Sequence, residues 1–270
     1  MAVPLHFRKV EAEGGTPGTP LVMVHGLLGQ GRNFGMLSRS FAATRDVYTV
    51  DMRNHGDSPW DTVMDYPAMA DDLAGFIAAE VGDRALVFGH SMGGKAAMRL
   101  ALDAPDRVAA LIVADIAPVA YTHSHLDQIN ALRALDLDTI SKRSEADAAL
   151  KASVPDPALR AFLLQNLRIS SDGVSRRSNL DVLAEAMGAL VGWTDSGSAR
   201  YDGPTLFIGG GDSTYIRPEH DDAIRTRFPR ATVEIVPGAG HWIHAEKPKE
   251  VFALSEAFLS RTDSASQQSG

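Results

Sequence analysis

Gly89-His90-Ser91-Met92-Gly93 is a G-x-S-x-G pentapeptide. The apolar run Ala85–Phe88 before it reads as a strand, and Ser91 to Leu102 reads as a helix. That is the setting in which this pattern presents a nucleophile. A serine hydroxyl is weakly nucleophilic, so it needs a base beside it and gains from the positive end of a helix. A sharp strand-to-helix turn meets both needs. The flanking glycines, with Gly94 behind them, let strand and helix pass closely. The chemistry of such a site is acyl transfer.

Acyl transfer also requires donors for the oxyanion. The backbone N–H of Met92 opens the helix and is one candidate; Leu27 N–H, in the loop His25-Gly26-Leu27-Leu28-Gly29 after the run Leu21–Val24, is the other. His25 is read as fixing this loop through its ring nitrogens, or as touching substrate. Around a nucleophile elbow the chain order is serine, acid, histidine. His241, in Gly238-Ala239-Gly240-His241-Trp242 after the last strand candidate, is therefore the expected base, with Trp242 beside it as a substrate contact. Two carboxylates qualify as the acid that orients it: Asp115, ending the strand Leu111–Ala114, and Asp212, after Thr205–Ile208. Residue spacing leaves both open.

The elements that must position these groups alternate along the chain. Strands are expected at Leu21–Val24, Val47–Val50, Ala85–Phe88, Leu111–Ala114, Thr205–Ile208 and Thr232–Val236. They are short, apolar throughout and separated by helical patterns such as Pro67–Val81, Pro218–Phe228 and Pro248–Leu259. That predicts a mostly parallel sheet covered on both faces. Leu5 to Val10 alternates instead, as an antiparallel edge strand does. Between Ala114 and Thr205 no core strand is visible. Helical patterns occur there at Leu126–Leu135, Glu145–Ala152, Pro157–Leu167 and Asn179–Leu190. A structureless loop of that length is improbable. The expected organisation is a core of residues 1–116 and 204–262, an inserted helical cap of 117–203, and a flexible tail of 263–270.

Composition excludes several function classes. The chain of 270 residues has no cysteine, which removes a disulfide framework, a thiolate metal site and a cysteine nucleophile. The formal net charge of −8 argues against a nucleic-acid partner. No apolar run is long enough to span a membrane. The N-terminal MAVPLHFRKV lacks the apolar core of a secretory signal, so a cytoplasmic location is expected. No H-E-x-x-H or similar ligand spacing occurs, so neither metal nor cofactor is expected.

The elbow and element order resemble the α/β-hydrolase superfamily over essentially the whole chain. Within it, Asp51-Met52-Arg53-Asn54-His55-Gly56-Asp57-Ser58, Met69-Ala70-Asp71-Asp72-Leu73, GHSMGGKAAM, Asp115-Ile116-Ala117-Pro118-Val119 and GAGHWIHAEKP are similar to YbfF-type bacterial esterases and their mitochondrial abhydrolase relatives. The resemblance implies Ser91 as nucleophile, His241 as base and Asp115 as acid. It also implies hydrolysis of short to medium acyl esters without a cofactor. The branch often carries asparagine where this chain has Asp212, which keeps the second acid in play.

The expected function is a serine carboxylesterase acting on a small-molecule ester. Alternatives are an acyl-CoA thioesterase, a cofactor-free perhydrolase or C–C bond hydrolase, and a non-enzymatic ligand-binding protein of the same fold. Lys95 reads as a packed or paired lysine, Asp51 and Arg53 as structural hydrogen-bonders. Met187 and Trp193 read as acyl-pocket lining or as plain core.

Overall fold

The computed structural model describes residues 2–14, 18–193 and 197–267. Seven strands form the main sheet: β1 (Phe7–Val10), β2 (Gly18–Val24), β3 (Arg45–Val50), β4 (Ala85–His90), β5 (Val108–Ala114), β8 (Thr205–Gly210) and β9 (Ala231–Val236). A hairpin of β6 (Leu167–Ser170) and β7 (Gly173–Arg176) stands apart from it. The helices are α1 (Gly35–Phe41), α2 (Tyr66–Phe76), α3 (Met92–Asp103), α4 (Leu126–Arg133), α5 (Arg143–Leu150), α6 (Pro157–Leu163), α7 (Leu180–Glu185), α8 (Met187–Val191), α9 (Asp221–Arg227), α10 (Ile243–Glu246) and α11 (Pro248–Gln267).

The sheet order is β1-β3-β2-β4-β5-β8-β9. Only β1 is antiparallel, with Phe7 opposite Val50. Every residue of β4 is buried, as its apolar run demands for a central strand with helices on both faces. Side chains alternate across the sheet. Leu21, Met23, Leu86, Phe88 and Ile112 pack with Leu37 and Phe41 of α1 and with Val251 and Leu259 of α11. Val22, Val24, Val87, Leu111 and Val113 pack with Met69 and Leu73 of α2 and Met98 of α3. Because the strands run parallel, their C-terminal ends share one edge. The loops after β2, β4, β5, β8 and β9 therefore gather there.

Between β5 and β8 lie, among the described residues, five α-helices, two short 3-10 turns and the β6–β7 hairpin rather than helices alone. The helix expected to reach Leu167 stops at Leu163, and Leu167 begins a strand. The hairpin is closed by Ser171-Asp172, followed by Gly173 at φ +117°. Asp-Gly is the turn signal that the helical reading overlooked.

This insertion is bonded to the loop edge at several points. Arg168 and Arg177 both pair with Asp57. Asn166 Nδ2 donates to Leu28 O at 2.9 Å. The carbonyls that end α8 are collected by core donors. Tyr66 OH donates to Leu190 O at 2.5 Å, and Lys95 Nζ donates to Val191 O at 3.0 Å and Gly192 O at 2.5 Å. Lys95 is thus a paired lysine, 1% exposed, whose ammonium satisfies the carbonyl end of a helix. Helix α11 continues past Leu259 to Gln267, through much of the stretch expected as a tail; residues 268–270 lie outside the described residues. Among the described residues no helix is long and apolar enough to cross a membrane.

Candidate active site

Ser91 sits between β4 and α3 at φ 53°, ψ −119°, a conformation that a non-glycine residue adopts only under local constraint. The constraint is visible in its neighbours. A Cβ on Gly93 would lie 2.4 Å from Val24 O, and one on Gly89 would lie 2.4 Å from Gly93 O. The turn is therefore tight enough to require glycine on both sides, which aims the Ser91 side chain at the shared loop edge.

His241 reaches that edge from the loop after β9. Ser91 Oγ lies 3.0 Å from His241 Nε2, and His241 Nδ1 lies 2.7 Å from Asp115 Oδ2. A carboxylate only accepts, so the proton on Nδ1 faces Asp115 and Nε2 is left to accept from Ser91. Asp115 is fully buried at the end of β5, at φ 51°. Its Oδ1 accepts from Gly210 N–H at 2.9 Å, and its Oδ2 also accepts from Ser213 Oγ–H at 2.5 Å. A carboxylate so deeply buried needs these donors.

Asp212 is the alternative acid that the structure does not bring to His241. It is exposed, and its backbone N–H donates to Ala239 O at 2.9 Å. The turn after β8 directs the next residue, Ser213, inward and leaves the Asp212 side chain outside. Ser213 was not singled out from sequence, and a lone serine in a polar turn offers no pattern to find it by.

Tyr215 also escaped the sequence reading. Its ring stacks on His241 with centroids 4.0 Å apart and an interplanar angle of 21°. Its hydroxyl lies 2.5 Å from His123 Nε2. Only the fold brings these three residues together.

The loop expected to supply the second oxyanion donor passes directly by Ser91. A Cβ on Gly26 would lie 3.2 Å from Ser91 Cβ. Among the described residues, neither Leu27 N–H nor Met92 N–H donates to a protein acceptor. Leu28, at φ 60°, completes the turn. His25 borders the cavity at this loop, but it is 1% exposed and both ring nitrogens are engaged. Nδ1–H donates to Gly26 O at 2.8 Å, and Nε2 accepts from Met52 N–H at 3.0 Å. Of the two readings of His25, these bonds are those of loop fixation. His55 does the same one layer away, donating to Arg53 O and accepting from Leu28 N–H. Arg53 is held bidentate by buried Asp72, and Asp51 accepts from Gly31 N–H and Asp57 N–H.

The buried histidines around the site are held neutral. Burial lowers His25, pushes His55 down to about 3 and His244 down to about 4, and carries His90 well below the ordinary value; neighbouring histidines add to the last three. Their folded pKa values lie below the unfolded value, so they contribute stability above pH ~6.5 that is lost as pH falls toward 4. At pH 5, His55 and His244 alone should each remove about 2 kcal/mol. Urea unfolding at pH 7 and pH 5 checks this; equal unfolding free energies at the two values contradict it.

Above Ser91 opens a cavity of about 260 Å³, lined among others by Leu27, Leu159, Phe162, His241 and Trp242. Trp242 borders it, with its ring 5.8 Å from that of Phe162. Among the described residues the one group with metal-ligand spacing is His6, Asp51 and Asp57. Asp51 there is engaged by backbone donors and Asp57 by two guanidinium groups, so this donor set is already neutralised.

The family model described as the alpha/beta hydrolase fold matches residues 19–248. The chain belongs to the α/β-hydrolase family. This α/β-hydrolase is 39% identical to the esterase YbfF of Escherichia coli strain K12, over 94% of this chain and 98% of that protein. It is 39% identical to the sn-1-specific diacylglycerol lipase ABHD11 of Mus musculus, over 95% of this chain and 85% of that protein. Its structure matches that of a marine microorganism esterase with a TM-score of 0.90 and 35% identity, over 95% of this chain and 100% of the other. The sheet topology and the elbow of this α/β-hydrolase enzyme agree with the fold read from its sequence.

Proposed function

We propose that the protein is a serine carboxylesterase. The observation that carries this reading is the continuous relay from Ser91 Oγ to His241 Nε2, and from His241 Nδ1 to Asp115, in the lining of a largely apolar cavity. Ser91 Oγ attacks the ester carbonyl carbon while its proton passes to His241 Nε2. The carbonyl oxygen becomes an oxyanion held by the N–H groups of Leu27 and Met92. Asp115 stabilises the imidazolium. The C–O bond to the alcohol breaks, and His241 returns the proton to the departing oxygen. Water, deprotonated by His241, then attacks the acyl-enzyme; its proton passes to Ser91 Oγ as the carboxylic acid leaves. No metal or cofactor enters these steps.

Tyr215 fits the same scheme as a positioning residue, since a stacked ring limits the tilt of the His241 imidazole. We assign residues 1–116 and 204–262 to the catalytic core, and 117–203 to a cap that shapes the cavity. The relatives named as an esterase and a lipase support ester chemistry in general.

The test is active-site labelling. A fluorophosphonate probe should add one equivalent to the folded protein, located on Ser91 by peptide mass spectrometry, and should abolish hydrolysis of p-nitrophenyl acetate. Absence of labelling in folded protein counts against the reading.

A further inference from the structure

Two spaces meet at Ser91. The outer cavity, of about 260 Å³, is bordered by His241 and Trp242. A second, inner chamber of about 30 Å³ shares Leu27, Ser91, His125 and Tyr215 with it. It is walled by Met92, Ile116, Met187 and Leu190, with Lys95 and Tyr66 among its polar lining, and neither His241 nor Trp242 borders it.

Reaction geometry assigns one space to each half of an ester, on the proposed esterase reading. The tetrahedral carbon on Ser91 carries three other groups. The oxyanion turns to Leu27 and Met92. The departing alcohol oxygen must receive its proton from His241, so the alcohol lies on the side His241 borders, in the outer cavity. The acyl group is left with the inner chamber. A water occupies roughly 10–15 Å³ on such a measure, so the chamber holds about two or three heavy atoms.

Its floor is also fixed. Lys95 Nζ is bonded to the carbonyls of Val191 and Gly192, and Tyr66 OH to that of Leu190. Tyr121 OH, at the same wall, accepts from Ala117 N–H and donates to Tyr215 O. These polar groups have protein partners and ask nothing of the ligand, while Met187, Leu190 and Ile116 offer apolar contact. Lengthening the chamber means breaking the bonds that hold the end of α8 to the core.

We infer that the enzyme is selective for acyl groups of up to three or four carbons, the carbonyl carbon on Ser91 included, joined to a much larger alcohol, with Met187 and Leu190 setting the acyl limit. The acyl length is tested with p-nitrophenyl acetate, butyrate and octanoate, which keep the alcohol constant. Wild-type kcat/KM should fall by about tenfold or more from acetate to octanoate. Met187→Ala and Leu190→Ala should raise the octanoate-to-acetate ratio by about tenfold, whereas Phe162→Ala, in the outer cavity, should leave that ratio unchanged. The wild-type series stands even where a variant folds poorly. Octanoate turned over as well as acetate, or an acyl preference that responds to Phe162 instead of Met187 and Leu190, overturns the assignment. No turnover of any ester, together with no fluorophosphonate labelling, overturns the esterase reading itself.

Discussion

Ser91→Ala will lower kcat on a p-nitrophenyl ester by about 10⁶-fold, with the folded state intact. The substitution removes a single oxygen from a residue that is 9% exposed. That oxygen closes the relay at 3.0 Å from His241 Nε2. The strained backbone at φ 53° is imposed by the approach of Gly89 and Gly93 to neighbouring carbonyls, and alanine tolerates it as serine does. What is lost is the covalent step. The proposed oxyanion donors and the cavity persist, so some turnover by water attack remains. The measurement is steady-state kinetics on protein purified separately from wild type, since a trace of wild type would mask an effect of this size. A Ser91→Ala variant as active as wild type would falsify the proposed mechanism.

Asp115→Asn should lower kcat by about 10⁴-fold, and Asp212→Asn should leave it within about twofold. In the Asp115→Asn variant the amide oxygen can still accept from Gly210 N–H, as Asp115 Oδ1 does. The amide nitrogen then faces His241 Nδ1 and Ser213 Oγ, where Asp115 Oδ2 accepts from both. A donor at that place forces Nδ1 to become the acceptor and puts the ring proton on Nε2, where it cannot receive the serine proton. The loss is therefore one of tautomer and charge, with the fold retained. Asp212 is exposed, and among the described residues its one hydrogen bond is made by its backbone N–H, so its amide variant changes nothing at the imidazole. The two variants form a paired experiment. A loss confined to Asp212→Asn would assign the acid to the later strand, and equal losses in both would overturn the assignment to Asp115 alone.

Much of the fold was legible because it is encoded locally. The run Ala85–Phe88 is apolar at every position, as a strand covered on both faces must be, and it emerges as the fully buried β4. Leu5 to Val10 alternates, and β1 is the antiparallel edge. The β6–β7 hairpin was missed because its strands are four residues long and half-exposed, which leaves no apolar period to read; only Asp172-Gly173 marked it. The loop that carries His25 and Leu27 passes beside Ser91, as its place after β2 implies. Loop fixation by the His25 ring was one of two readings of the sequence; its partners were not legible, because both are backbone groups, and one of them, Met52 N–H, lies on a different strand's loop.

Ser91 with its glycines, and His241 in a loop after the last strand, follow from residue order alone. The turn is a contiguous steric requirement, and parallel strands bring successive loops to one edge whatever the helices between them do. The choice between Asp115 and Asp212, the recruitment of Ser213 and Tyr215, and the division of space around Ser91 depend on side-chain direction at the end of each strand. A shift of one residue turns a side chain from the site to solvent, as Ser213 and Asp212 show. That direction is set by the register of β5 against β8 and by the bonds that seat the inserted helices over the edge. Only the assembled chain contains those contacts.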